Sequence, residues 1–157
     1  MHIRPIFIIG TGFNDGQVKR TLFTTSVSLT YSGQLSLATQ LTSIAEQEVA
    51  LLAEQAFVDL ARVCLAEAMH SPQRINEALA EVENRDGDLT SWLNAATADG
   101  RLVIADIPFA ATQFFALIKS FCFWPQMMQG QTFPDESQQQ VIIDSAVAMF
   151  LGFYQSN

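Results

Sequence analysis

Lys19 and Arg20 stand side by side, followed by Thr21, in the stretch GQVKRTLF (residues 16–23). Cations and a hydroxyl this close together are the side chains that contact phosphate oxygens, so nucleic-acid contact is the first chemistry to weigh. The rest of the chain works against it. Eight basic residues face sixteen acidic ones for a formal net charge of -8. Residues 1–23 hold Arg4, Lys19 and Arg20 against Asp15, a net of +2, which leaves -10 for residues 24–157. Only the N-terminal end can attract phosphate, and an acidic body repels nucleic acid or an anionic membrane laid across it.

Other candidate chemistry lacks its partners. PIFIIGTGFNDG has GxGxxxG spacing rather than the GxGxxG that brings a pyrophosphate to a helix N-terminus, and no acidic residue follows at the required distance. Asp86-Gly87-Asp88, near Glu81 and Glu83, lacks the alternating ligands and twelfth-position glutamate of a calcium loop and reads as an interhelical turn. His2 and His70 have no His or Cys at metal-ligand spacing. Cys64 and Cys122 have no basic neighbour to activate a thiolate and form no CxxC, which fits small apolar residues of a reduced, cytoplasmic protein. The carboxylate pairs Glu46/Glu48 and Glu81/Glu83 are two apart and so face different sides of a helix. No enzyme, metal or cofactor is expected.

The elements that position these residues follow from periodicity. The segment 1–34 holds four of the eight glycines and the Thr- and Ser-rich run TLFTTSVSLTYSG, and is expected to be irregular. From residue 35 to 157 the helical period dominates. Apolar residues recur at 37, 38, 41, 44, 45 and 49, and again at 53, 56, 57, 60, 63, 64 and 68. Ser71-Pro72 ends one helix and begins another, and two helical pieces flank Asp86-Gly87-Asp88, the second closed by Gly100. RLVIAD is a short connector. Asp106 caps a helix with Pro108 in its first turn that runs to Pro125, and a last helix spans roughly 135–154. The longest apolar stretch, 107–118, is broken by Thr112 and Gln113 and stopped by Lys119, short of the roughly 20 residues that cross a bilayer. The apolar core of the N-terminus, Ile6 to Ile9, is too short for a signal sequence.

Between 109 and 124 the clearly polar residues are Thr112, Gln113, Lys119 and Ser120; between 141 and 151 they are Asp144 and Ser145. Helices this apolar need cover on more than one side, so the last two are expected to form a four-helix contact in a homodimer, through Phe114, Ile118, Val147, Phe150, Leu151 and Tyr154. Aromatic, thiol and thioether side chains crowd the same half of the chain. They suit a cavity for an apolar or amphipathic small molecule, lined by Phe57, Cys64, Trp92, Phe115, Phe121 and Trp124.

In order, LARVCLAEAMHSP (60–72), ADGRLVIAD (98–106), Ala110, Ala111 and Phe114 followed by LIK (117–119), FWP (123–125) and IIDSAVAMFLGFY (142–154) resemble the C-terminal half of TetR-family transcriptional regulators, particularly the AefR-like subgroup. The resemblance covers about residues 50–154. It implies an all-α effector-binding and dimerising domain behind an N-terminal helix-turn-helix in which Lys19, Arg20 and Thr21 would meet DNA. GQVKRTLF is similar to the family's turn and recognition helix but has Gln17 and Val18 where the family has Val and Ser. It follows a segment with Pro5, Gly10 and Gly12 rather than a helix. The expectation is a reading head that is degraded, truncated or read in a shifted frame, with DNA binding impaired or absent. A stand-alone ligand-binding or protein-interaction module is the alternative, and an enzyme ranks last.

Overall fold

The computed structural model describes residues 30–70 and 89–156. The segment 1–29, which includes Lys19, Arg20 and Thr21, and the turn around Asp86-Gly87-Asp88 lie outside them, as does the Ser71-Pro72 junction.

Helix α1, Leu37–Ala53, starts where the Ser36 hydroxyl accepts the Thr39 N–H at 3.0 Å, which satisfies one of the orphan donors of the first turn. Its apolar stripe of Leu37, Leu41, Ile44, Ala45, Val49 and Leu52 is buried, as the spacing predicts. Glu54, in extended backbone, breaks the chain before α2, Gln55–His70. Residues 89–98 are the described part of α3. It ends at Gly100, whose φ of +73° is the left-handed conformation that glycine adopts at least cost.

Helix α4, Ile107–Cys122, is capped by Asp106, whose carboxylate accepts the Phe109 N–H at 3.0 Å. It ends earlier than the sequence predicts. The chain turns at Phe123 into the short α5, Trp124–Met128, and Pro125 serves as a first-turn residue of α5 rather than as a stop, since its missing N–H costs nothing there. Helix α6, Glu136–Tyr154, opens on a capping box in which the Asp135 carboxylate accepts the Gln138 N–H and the Gln138 side chain accepts the Asp135 N–H.

The fold is all-α. Among the described residues the extended connector makes only one isolated bridge, Leu102 with Gln155, where the Val103 N–H donates to the Tyr154 carbonyl at 2.8 Å. This ties the end of α6 to the link between α3 and α4. Helices α1, α4 and α6 pack on one another, and α1 and α4 also meet α2 and α5 respectively. Its Phe114 and Ile118 are fully buried, and Phe114 meets Phe150 of α6 edge-on at a ring separation of 5.2 Å. No helix among the described residues is long and apolar enough to cross a membrane.

Candidate functional site

The six residues expected to line a ligand cavity fall in different places. Phe57 of α2 packs against Phe123 at 6.2 Å, and Phe123 in turn meets Trp124 at 4.9 Å, which joins α2 to the α4–α5 turn. Gln126 anchors this corner by donating to the Leu52 carbonyl at 2.9 Å and the Cys122 carbonyl at 2.7 Å. Phe115, nearly buried, lies one turn before Lys119, whose ammonium sits 5.3 Å from its ring centre and 3.7 Å from the Glu48 carboxylate. Phe57 and Trp124 thus border the meeting of α2 with the α4–α5 turn, and Phe115 lies on the side of α4 that meets α1. Cys64 is on α2, with its side chain outside the described set. Phe121 points outward at 59% exposure, and Trp92 is buried on α3, away from the others, with its indole N–H donated to Gln40 at 3.1 Å.

Glu48 was not foreseen as a site residue, although it stands on the buried stripe of α1, where a carboxylate calls for a partner. It also bears on Cys122. Burial first, and then the Glu48 charge, push that thiol up to about 11. Because this lies above the ordinary value of 9.0, its stabilising contribution is present below that pH and is lost as pH rises towards 11. In a Cys64→Ser protein, Cys122 is expected to react with a thiol reagent at neutral pH at least about 100-fold more slowly when folded than in urea. Equal rates would show that the thiol is accessible.

The residues expected at a dimer contact sit on α4 and α6. Phe114, Ile118, Val147, Phe150 and Tyr154 are buried inside the single chain, and Leu151 packs against them. They are held by ring contacts of Phe150 with Phe114 and Tyr154 and by the Tyr154 hydroxyl's bond to Gln113. The reason is that the inner face of α4 already contacts α1 and α6. What these helices turn outward is a different set. On α6, Val141, Ser145, Ala148 and Gly152 form one exposed stripe, flanked by Met149 at 59% and Phe153 at 79% exposure. On α4 the corresponding stripe is Phe109, Gln113, Ala116 and Ser120, with Phe121 beside it. A Cβ at Gly152 would meet nothing within 4 Å. An open groove of about 760 Å³ continues this surface, with Phe121, Pro125 and Pro134 on one side and Ser137, Gln138, Val141 and Ile142 along α6.

A body of mutually packed helices, in which the last two long helices carry exposed apolar side chains as well as a buried apolar face, is the class of fold seen here. Residues 39–156 match the AefR-like transcriptional repressor, C-terminal domain. The structure is similar to the crystal structure of a TetR family transcriptional regulator from Pseudomonas syringae pv. tomato str. DC3000, with a TM-score of 0.79 and 34% identity over 90% of this chain and 72% of that one. It shares its fold with a protein of Mesorhizobium loti MAFF303099 assigned to the TetR-family regulators, at a TM-score of 0.73 and 22% identity over 90% of this chain and 69% of that one. No curated protein matches the chain significantly. The chain belongs to the TetR family of transcriptional regulators, of which it carries the AefR-like C-terminal domain. That family and these neighbours are regulators rather than enzymes.

Proposed function

We propose that this chain is the effector-binding and dimerising part of a cytoplasmic TetR-family regulator, with DNA binding impaired or absent and no catalytic activity. The observation that carries the reading is the outer face of α4 and α6, where exposed Phe109, Phe121, Val141, Met149 and Phe153 surround Ala116, Ala148 and Gly152. Scattered apolar residues on a surface need no explanation, but a row of them along two adjacent helices marks a contact. Small residues along its middle let a second pair of helices approach closely. A second copy related by a two-fold axis would present the same surface and close a four-helix bundle.

The effector would be an apolar or amphipathic small molecule held at the α1–α2–α4–α5 corner. Phe57, Phe115, Phe123 and Trp124 would supply the apolar wall, and Lys119 and Glu48 the polar groups that orient it. It would act by favouring one of two conformations of unequal affinity for it. Impaired DNA binding rests on Gln17 and Val18, which replace the buried apolar residue and the capping hydroxyl of the family's pattern.

A mobility-shift assay at low salt, where phosphate contacts are strongest, tests the regulatory half of the reading. With DNA flanking the protein's own coding sequence, the expected result is no retention that survives unrelated competitor DNA. Sequence-specific retention would show that Lys19, Arg20 and Thr21 belong to a working reading head.

A further inference from the structure

The outer face of α4 and α6 carries a hollow at one end of α6 and a projecting ring at the other. The hollow is the open groove of about 760 Å³ at the start of α6, with Phe121 and Pro125 on one wall and Val141 and Ile142 on the other. Its lining of aromatic, proline, aliphatic, amide and hydroxyl side chains holds no charge, so covering it with apolar surface strips no ion of its water. The ring is that of Phe153, the most exposed phenylalanine or tryptophan among the described residues, which leans edge-on against its neighbour Tyr154 at 4.7 Å. Met149 stands seven residues after Ile142 and Phe153 eleven, about two and three turns of the helix, so the three share one side of α6. Groove and ring are thus the two ends of a single row.

We propose that Phe153 fixes the register and the choice of partner: Phe153 of each copy seats in the groove of the other, between Phe121 and Val141, with the two α6 helices antiparallel. A two-fold axis crossing α6 between residues 147 and 148 exchanges the Ile142 and Phe153 ends of the row, about 16 Å apart along the helix. The same axis brings Ser145 and Ala148, the small residues of the exposed stripe, to the point where the two helices cross. One operation fills both grooves and covers both rings, which is the self-complementarity an isologous contact requires. A groove this open would leave a small molecule largely in water, whereas ligand sites bury most of their guest; a second copy laid on the face closes it. An aromatic anchor in a hollow is how a few residues come to dominate an interface. A relative lacking either the ring or the hollow forfeits that contact, so the pair selects another copy of this chain. This seating rests on the pairing reading above, to which it adds the antiparallel order and the residue that sets it.

Exchanging ring and hollow between two variants of the full chain tests the seating. Phe153→Ala removes the ring and leaves the groove open, while Val141→Trp fills the groove and leaves the ring. Both positions face solvent in the single chain, so helix content should stay as it is. Each variant is expected to pair with itself at least about 30-fold more weakly than the wild type does, the scale on which a buried anchor counts. Mixed in equal amounts, the two should form a mixed dimer at least about tenfold tighter than either self-pairing, because the open groove of one receives the Phe153 of the other while the filled groove faces alanine. Native mass spectrometry separates the three dimers by mass. Should Val141→Trp fail to fold, Ser137→Trp, on the same groove, is read in its place. A mixed dimer of strength between the two self-pairings would overturn the seating and leave the pairing reading intact, since the two changes would then act independently. So would a Phe153→Ala chain that dimerises as tightly as the wild type. A wild-type chain that is itself monomeric would remove the pairing reading and the seating with it.

Discussion

Ala148→Arg is expected to turn a dimer into a monomer at micromolar concentration. Ala148 lies exposed in the middle of the Val141, Ser145, Ala148, Gly152 stripe, where the helix of a second copy would approach most closely. An arginine there must either be buried without a partner or hold the helices apart, and an unpaired buried charge costs several kcal/mol. The dissociation constant should rise by at least about 100-fold, or roughly 2.7 kcal/mol. The folded chain itself should barely respond: the site faces solvent within one chain, and arginine is nearly as good a helix former as alanine. Sedimentation equilibrium reads the association and circular dichroism the helix content. A variant that sediments as the wild type does would remove this face from the interface.

The opposite substitution acts on the opposite face. Phe114→Ala removes a ring that is fully buried and stacked edge-on against Phe150, and nothing at the centre of α4 can collapse easily into the space, since α1 and α6 already occupy both sides. A loss of about 3–5 kcal/mol in stability is expected, set by the lost burial together with the cavity left behind. Single domains have only about 5–15 kcal/mol in total, so the change should be plain in a urea titration at fixed protein concentration. A loss below about 1 kcal/mol would mean that Phe114 is not the core residue the structure makes it. The pair of variants separates the two faces of these helices: Phe114 governs folding of the chain, and Ala148 governs pairing.

The contrast also shows how far the sequence could be read. Helix ends were legible where their chemistry is local: Asp106 and Asp135 cap α4 and α6, and Gly100 closes α3, each recognisable within four residues. The break at Phe123 was not, because Pro125 suits the first turn of a new helix as well as the end of an old one. The facing of α4 and α6 was not legible either. A helix that is apolar nearly all round carries no stripe to say which side goes in, so the sequence does not show that Phe114, Phe150 and Tyr154 are buried within the single chain. The middle of the outer face is written in alanine, serine and glycine, residues with little hydrophobic signal of their own. Gln40 and Glu48 could have been noticed, since both interrupt the buried stripe of α1. Their partners, Trp92 and Lys119, are 52 and 71 positions away, and no local pattern announces a pairing at that range. Arg101 gave a weaker signal still, as its contacts are backbone carbonyls of residues 32–35.

Light scattering on the wild-type chain at micromolar concentration tests the dimerising reading most directly. The outer face of α4 and α6 predicts a mass of twice 17.3 kDa, unchanged on moderate dilution. A mass of 17.3 kDa under the same conditions would contradict it, because the exposed apolar rows on both helices would then face water.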